Sequence, residues 1–131
     1  MYLLDTSTLV HILRGHPGVG AHLATLPRTV TLYTSVIAEG ELLVGAYRMS
    51  GARRERELAA IREILQTMTV LPCTSVLADR YGRVRAPAAS SSISRNDGWI
   101  AATAIERKLI LVADDEDYSR VPGLVVENWA R

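Results

Sequence analysis

One cysteine, one lysine and three histidines leave several chemistries without raw material. Cys73 has no intrachain partner, so no disulfide staples the chain. A lone thiol suits a reducing compartment and reads as a small buried hydrophobe. His11, His16 and His22 do not share one helical face, and no second cysteine joins them, so nothing is spaced to select zinc. No apolar run approaches the roughly 20 residues that a membrane-spanning helix needs. Met1-Tyr2-Leu3-Leu4-Asp5 carries neither a basic leader nor a long apolar signal region. A soluble, cytoplasmic protein with no membrane partner is expected. The net charge of +1 selects no partner class.

What is present is a core and an uneven distribution of charge. With 48% apolar residues in a chain of 131, one domain can bury a core without staples. Of the 15 cations only Lys108 is lysine, and Arg80, Arg83, Arg85 and Arg95 follow one another with no acid between Asp79 and Asp97. Asp114, Asp115, Glu116 and Asp117 are consecutive. Separate basic and acidic patches are able to hold phosphates and cations respectively, although either run alone reads more simply as solvated surface. The charges from Arg53 to Glu63 read as the exposed face of a helix.

Strands and helices alternate along the chain. Tyr2 to Leu4 is a short apolar strand ending at Asp5, and Thr6-Ser7-Thr8 supplies capping residues for a helix over about 7–14. Gly15-His16-Pro17 breaks it before a second helix over 19–26. Thr29 to Tyr33 is rich in β-formers, and Ser35 caps a helix over 36–49. A turn at Ser50-Gly51 leads to a helix over 52–66, then a strand over 68–71 that stops at Pro72. Helices over 75–84 and 96–108 flank a Ser/Ala/Pro loop over 86–94. Leu109 to Val112 is apolar throughout, which suits a strand covered on both faces, and Leu124 to Val126 is a last short strand. The pattern predicts an α/β fold in one domain over 1–131, a central, mostly parallel sheet flanked by helices. Ligands of such sheets bind outside the carboxyl ends of the strands. Asp5 and Asp114-Asp115 follow two of those ends.

Carboxylates gathered at one sheet edge repel one another, and burying them unpaired is costly. A hard divalent cation resolves the conflict, and Mg²⁺ or Mn²⁺ on carboxylates serves phosphodiester hydrolysis. Taken singly, Asp5 reads equally as a turn residue and Asp97 as a first-turn acid that favours the helix dipole. Glu39 and Glu41 have similar apolar helical neighbours, so periodicity does not choose between them.

Leu4-Asp5-Thr6-Ser7 resembles the opening motif of the PIN-domain family. Ser35 to Gly45 is similar to its second motif, in which the acid directly precedes Leu and stands four residues before Gly, which selects Glu41 over Glu39. Asn96-Asp97-Gly98-Trp99-Ile100-Ala101-Ala102 looks like the third motif and Leu111 to Tyr118 like the fourth. Val121-Pro122-Gly123-Leu124 with Glu127-Asn128-Trp129 resembles the ending usual in VapC-type toxins. Ala113 stands where the family usually has Thr or Ser, and 86–92 lacks the charged, Gly-containing composition common before the third motif. The resemblance implies a Mg²⁺- or Mn²⁺-dependent endoribonuclease acting on RNA, neutralised by a small VapB-like antitoxin, and a homodimer. By the same resemblance Asp5, Glu41 and Asp97 form an acidic triad, joined by Asp115 with Asp117 as the alternative. Ser7 and Asn96 would orient carboxylates or metal waters. A dehalogenase-type phosphatase would need an acid where Ser7 stands, and a receiver domain would need a lysine after a late strand, whereas Lys108 precedes one. A degenerate PIN module that binds RNA or a partner without cutting is the alternative, and metal-dependent cleavage of RNA separates the two.

Overall fold

Leu3 and Leu4, each fully buried, sit in the middle strand of the sheet, and the rest of the fold is arranged around them. The computed structural model describes all of residues 1–131. The elements run β1 (Tyr2–Leu4), α1 (Thr6–Leu13), α2 (Pro17–Thr25), β2 (Leu32–Ser35), α3 (Val36–Tyr47) and α4 (Gly51–Leu65). They continue with β3 (Thr69–Leu71), α5 (Ser75–Arg85), α6 (Arg95–Arg107), β4 (Ile110–Val112) and β5 (Val126–Glu127). The sheet order is β3-β2-β1-β4-β5, and every pairing is parallel. β1 therefore has β2 on one side and β4 on the other, so the strand order reverses there and a crevice opens above its carboxyl end. In register, Leu4 lies beside Val112, and the amide of Asp5 donates to the Val112 carbonyl at 3.1 Å.

Local chemistry adjusts several of the expected boundaries. Pro17 starts α2 rather than only ending α1: its fixed φ suits the first helical position, and the His16 ring accepts from the Val19 amide at 3.2 Å as the cap. β2 begins three residues later than its composition suggests, because Pro27 to Val30 closes a turn (Val30 N–H to Pro27 O, 3.1 Å) and pairing with β1 begins at Leu32. Cys73 is a correction. It lies beyond the end of β3 and is exposed, not a core residue.

α6 positions the third motif through close packing. Ala101, Ala102 and Ala104 are fully buried, so this helix lies tight against its neighbours. At Gly98 a Cβ would stand 2.7 Å from Cδ of Arg85 and 3.0 Å from the Tyr81 ring, so glycine lets α5 approach the first turn of α6. Tyr81 stacks on Trp99 with centroids 4.2 Å apart, which fixes that approach immediately beside Asp97.

Candidate active site

The carboxyl edge of β1 and β4 collects acids from four elements. Asp5 leaves β1 as the N-cap of α1: its Oδ1 accepts from the Thr8 amide at 3.0 Å and from the Ser7 hydroxyl at 2.8 Å. The capping residue is thus Asp5 itself, not the Thr6-Ser7-Thr8 run after it. Glu41 comes from the second turn of α3 and accepts from the Thr6 hydroxyl at 2.7 Å. Asp97 lies in the first turn of α6, where Ser94 is the cap, and its Oδ1 accepts from the buried Tyr118 hydroxyl at 3.0 Å. Asp115 follows β4 and caps the 3-10 turn Glu116–Arg120 by accepting from the Asp117 amide at 2.9 Å.

These acids feel one another. Burial pushes the Asp5 carboxyl up to about 6, with the Asp97 charge adding to the effect against the opposing bonds from Thr8 and Ser7. Burial also raises Asp97, and the neighbouring charges of Asp115 and Glu41 push the same way. The Tyr118 phenol is driven far above its ordinary value by burial first and then by Asp5, Asp97 and Asp115, so it stays a proton donor. Asn96 is exposed, with its amide bonded to none of the acids. Ser7 does bridge: it donates to Asp5 and accepts from the Asp114 amide at 3.2 Å.

Asp114 faces away from this group. His11 lies 2.9 Å from its Oδ2 and the Asn128 amide donates to its Oδ1 at 2.8 Å, and together they hold its carboxyl below the usual range. Adjacent acids thus differ: Asp114 anchors the loop through His11 and Asn128, and the Asp115 charge acts on Asp97. Sequence reasoning missed Tyr118, Thr6 and the His11–Asp114 contact. Only Thr6 left a signal, as a hydroxyl directly after Asp5.

The donor set is suited to a hard cation. None of the ion pairs in the structure includes Asp5, Glu41, Asp97 or Asp115, so no arginine or lysine neutralises them. As the side chains stand, no three of the His, Cys, Asp and Glu residues are grouped so as to hold a metal ion. Open, oxygen-only coordination fits an ion that keeps several of its waters. An apolar cleft of about 410 Å³ lies elsewhere, bounded by Ile12, Leu13, Leu23, Ile64 and Met68, and lacks such a group of acids.

The sequence profile of the PIN domain matches residues 2–124. The chain belongs to the PIN-domain family. Ribonuclease VapC2 of Haemophilus influenzae is 30% identical over 98% of this chain and 97% of its own. Among solved structures, this PIN domain superposes with a TM-score of 0.87 on VapBC2 from Rickettsia felis bound to a DNA fragment from their promoter. That pair shares 26% identity, with 98% of each chain covered. FitAcB from Neisseria gonorrhoeae follows at 0.84, with 29% identity and 98% coverage of both chains.

Proposed function

We propose that this PIN domain is an endoribonuclease dependent on Mg²⁺ or Mn²⁺, the toxin half of a pair neutralised by a small VapB-like antitoxin. The observation that carries the activity is the set of four carboxylates, from four elements, left without a cation at the carboxyl edge of β1 and β4. Asp5, Glu41, Asp97 and Asp115 would hold the ion, with Asp117 as the alternative to Asp115. When bound, such an ion lowers the pKa of a water and screens charge on the phosphate.

This chain's own residues do the rest. Ser7 holds Asp5 by its Oδ1, leaving Oδ2 for other partners. Thr6 does the same for Glu41 through Oε1, and Tyr118 for Asp97 through Oδ1. Each carboxylate is therefore oriented before any ligand arrives, which reduces the ordering cost of binding. The buried Leu4 and Val112 below keep the floor of the crevice dry, which strengthens electrostatic interactions above it.

The toxin reading is supported by relatives named as ribonucleases and by a neighbour solved as a member of the VapBC family of toxin–antitoxin systems. A cytoplasmic location belongs to that reading, as does a homodimer, for which exposed Val36, Tyr47 and Val76 offer apolar surface. Expression of this chain alone should arrest growth, and Asp5→Ala should relieve the arrest at equal soluble levels. Purified protein should cut RNA with Mg²⁺ or Mn²⁺ and stop with chelator. Undiminished cutting by metal-stripped protein would remove the metal, and binding of RNA without any cutting would leave the degenerate module.

A further inference from the structure

The arginines between Asp79 and Asp97, a candidate phosphate patch by sequence, are partly consumed. Arg80 reaches Glu106 at 3.2 Å and Arg83 reaches Asp79 at 2.9 Å. The charged face of α4 behaves differently. Arg53, Arg56, Glu57 and Ala60 lie at helical spacing on one side and line a cleft of about 440 Å³ together with Arg14 and Met49. A narrower cleft of about 100 Å³ shares Arg14, Met49 and Glu57 with it and reaches Thr6 and Glu41 past Gly45. The two form one path from the acids to α4.

Charge along the path is positive. Glu57 is taken by Arg14 through two bonds of 3.0 and 2.9 Å. Arg53 and Arg56 join no ion pair and no side-chain hydrogen bond, so their guanidiniums remain available. Arg54 is not available: it donates to the carbonyls of Met49 (2.9 Å) and Tyr47 (3.0 Å) and ties the end of α3 to α4. Gly45 stands one turn beyond Glu41, about 6 Å along the axis at 1.5 Å per residue. A Cβ there would meet nothing within 4 Å, so the fold does not demand glycine, and the space above it stays open.

Resting on the endoribonuclease reading above, we propose that this path carries the substrate strand: single-stranded RNA runs from the acids over Gly45 and Met49, and Arg53 and Arg56 take its phosphates. A polyanion approaching uncompensated carboxylates needs cations near by to be held, and guanidiniums match phosphate oxygens in pairs. A protein segment would gain little from two unpaired arginines unless it were acidic.

The test uses the full chain, Mn²⁺, and single-stranded oligoribonucleotides of two lengths. On a long one, Arg53→Gln with Arg56→Gln should raise KM about tenfold, with a smaller effect on kcat. The slope of log affinity against log salt should fall by about 1.4, since each single-strand phosphate contact contributes about 0.7. The KM penalty should shrink on a trinucleotide too short to reach α4. Gly45→Gln, which fills open space without altering charge, should raise KM on the long strand as well. Arg62→Gln, on the same helix but outside the cleft, is the control and should leave KM as it is. If KM and the salt slope are unchanged in the double variant while cleavage persists, the path is overturned and the nuclease stands; the cleft would then fit an acidic peptide. If the parent cuts no RNA, the nuclease reading fails, and the salt slope of oligoribonucleotide binding alone decides the path.

Discussion

Two charged regions of this molecule answer the same electrostatic problem in opposite ways. On the outer helices acids meet arginines: Asp79 with Arg83, Glu106 with Arg80, and Glu57 with Arg14. At the carboxyl edge of β1 and β4, Asp5, Glu41, Asp97 and Asp115 have hydrogen-bond donors but no cation. The outer pairs are exposed or partly so and contribute little each. The inner acids carry a standing repulsion that only a ligand from solution relieves. A region that the chain neutralises itself is structural, and a region it leaves unneutralised is available for chemistry.

The sharpest way to break this contrast is to remove one inner charge without changing shape. Asp97→Asn should lower cleavage by roughly a thousandfold or more, the scale on which positioned catalytic groups and metal sites act. The metal-free fold should be as stable as the parent or more so, because a repulsive charge is gone. Single-turnover cleavage and melting in chelator measure both. A clear loss of stability would class Asp97 with the outer, structural acids.

pH tests the same site, where burial first and the Asp97 charge after it disfavour the Asp5 carboxylate. The Asp5 carboxyl titrates near 6 in the folded chain against 3.8 as its ordinary value, so the folded state holds the proton more tightly. Its contribution to stability is complete below about pH 4 and is lost as pH rises through 6, by up to about 3 kcal/mol. Urea unfolding of chelated protein at pH 4 and pH 7 should show this fall over that window, on top of any other titration. Adding Mn²⁺ at pH 7 should recover stability, and no recovery would mean the acids do not take the ion.

Tyr118→Phe should have a smaller effect, because it leaves Asp97 in place and removes only the bond that orients it. Cleavage should drop about tenfold, with a stability change of about 1 kcal/mol. The smallest effect belongs to the outer region. Arg83→Gln breaks an exposed pair and should cost less than about 0.5 kcal/mol with cleavage unchanged. A large loss there would collapse the distinction between the two regions.

Much of this was legible in the residues. The apolar run at Leu111-Val112, the strand before Asp5 and the cap at Ser35 were readable because hydrophobic period and capping are local. The residues that orient the acids were less so. Glu41 and Thr6 are separated by 35 positions and Tyr118 and Asp97 by 21, and no spacing rule connects them. In the arginine run, the Asp79–Arg83 pair is readable from its spacing of four, but the Glu106 that consumes Arg80 lies 26 positions away and is visible only after folding.

The sequence by itself determined the alternation of strand and helix, the acids at strand ends and helix starts, and the family to which the motifs belong. Those follow from short-range sterics, burial and hydrogen bonding, which depend on neighbours along the chain. Only the tertiary structure decided that the Asp115 charge acts on Asp97 while Asp114 is held by His11 and Asn128, that Asn96 stands apart, and that Arg53 and Arg56 join no ion pair. Each of these is a question of which charge has a partner. Coulomb interactions fall off with distance in space, and the parallel sheet brings residues about a hundred positions apart to the same edge.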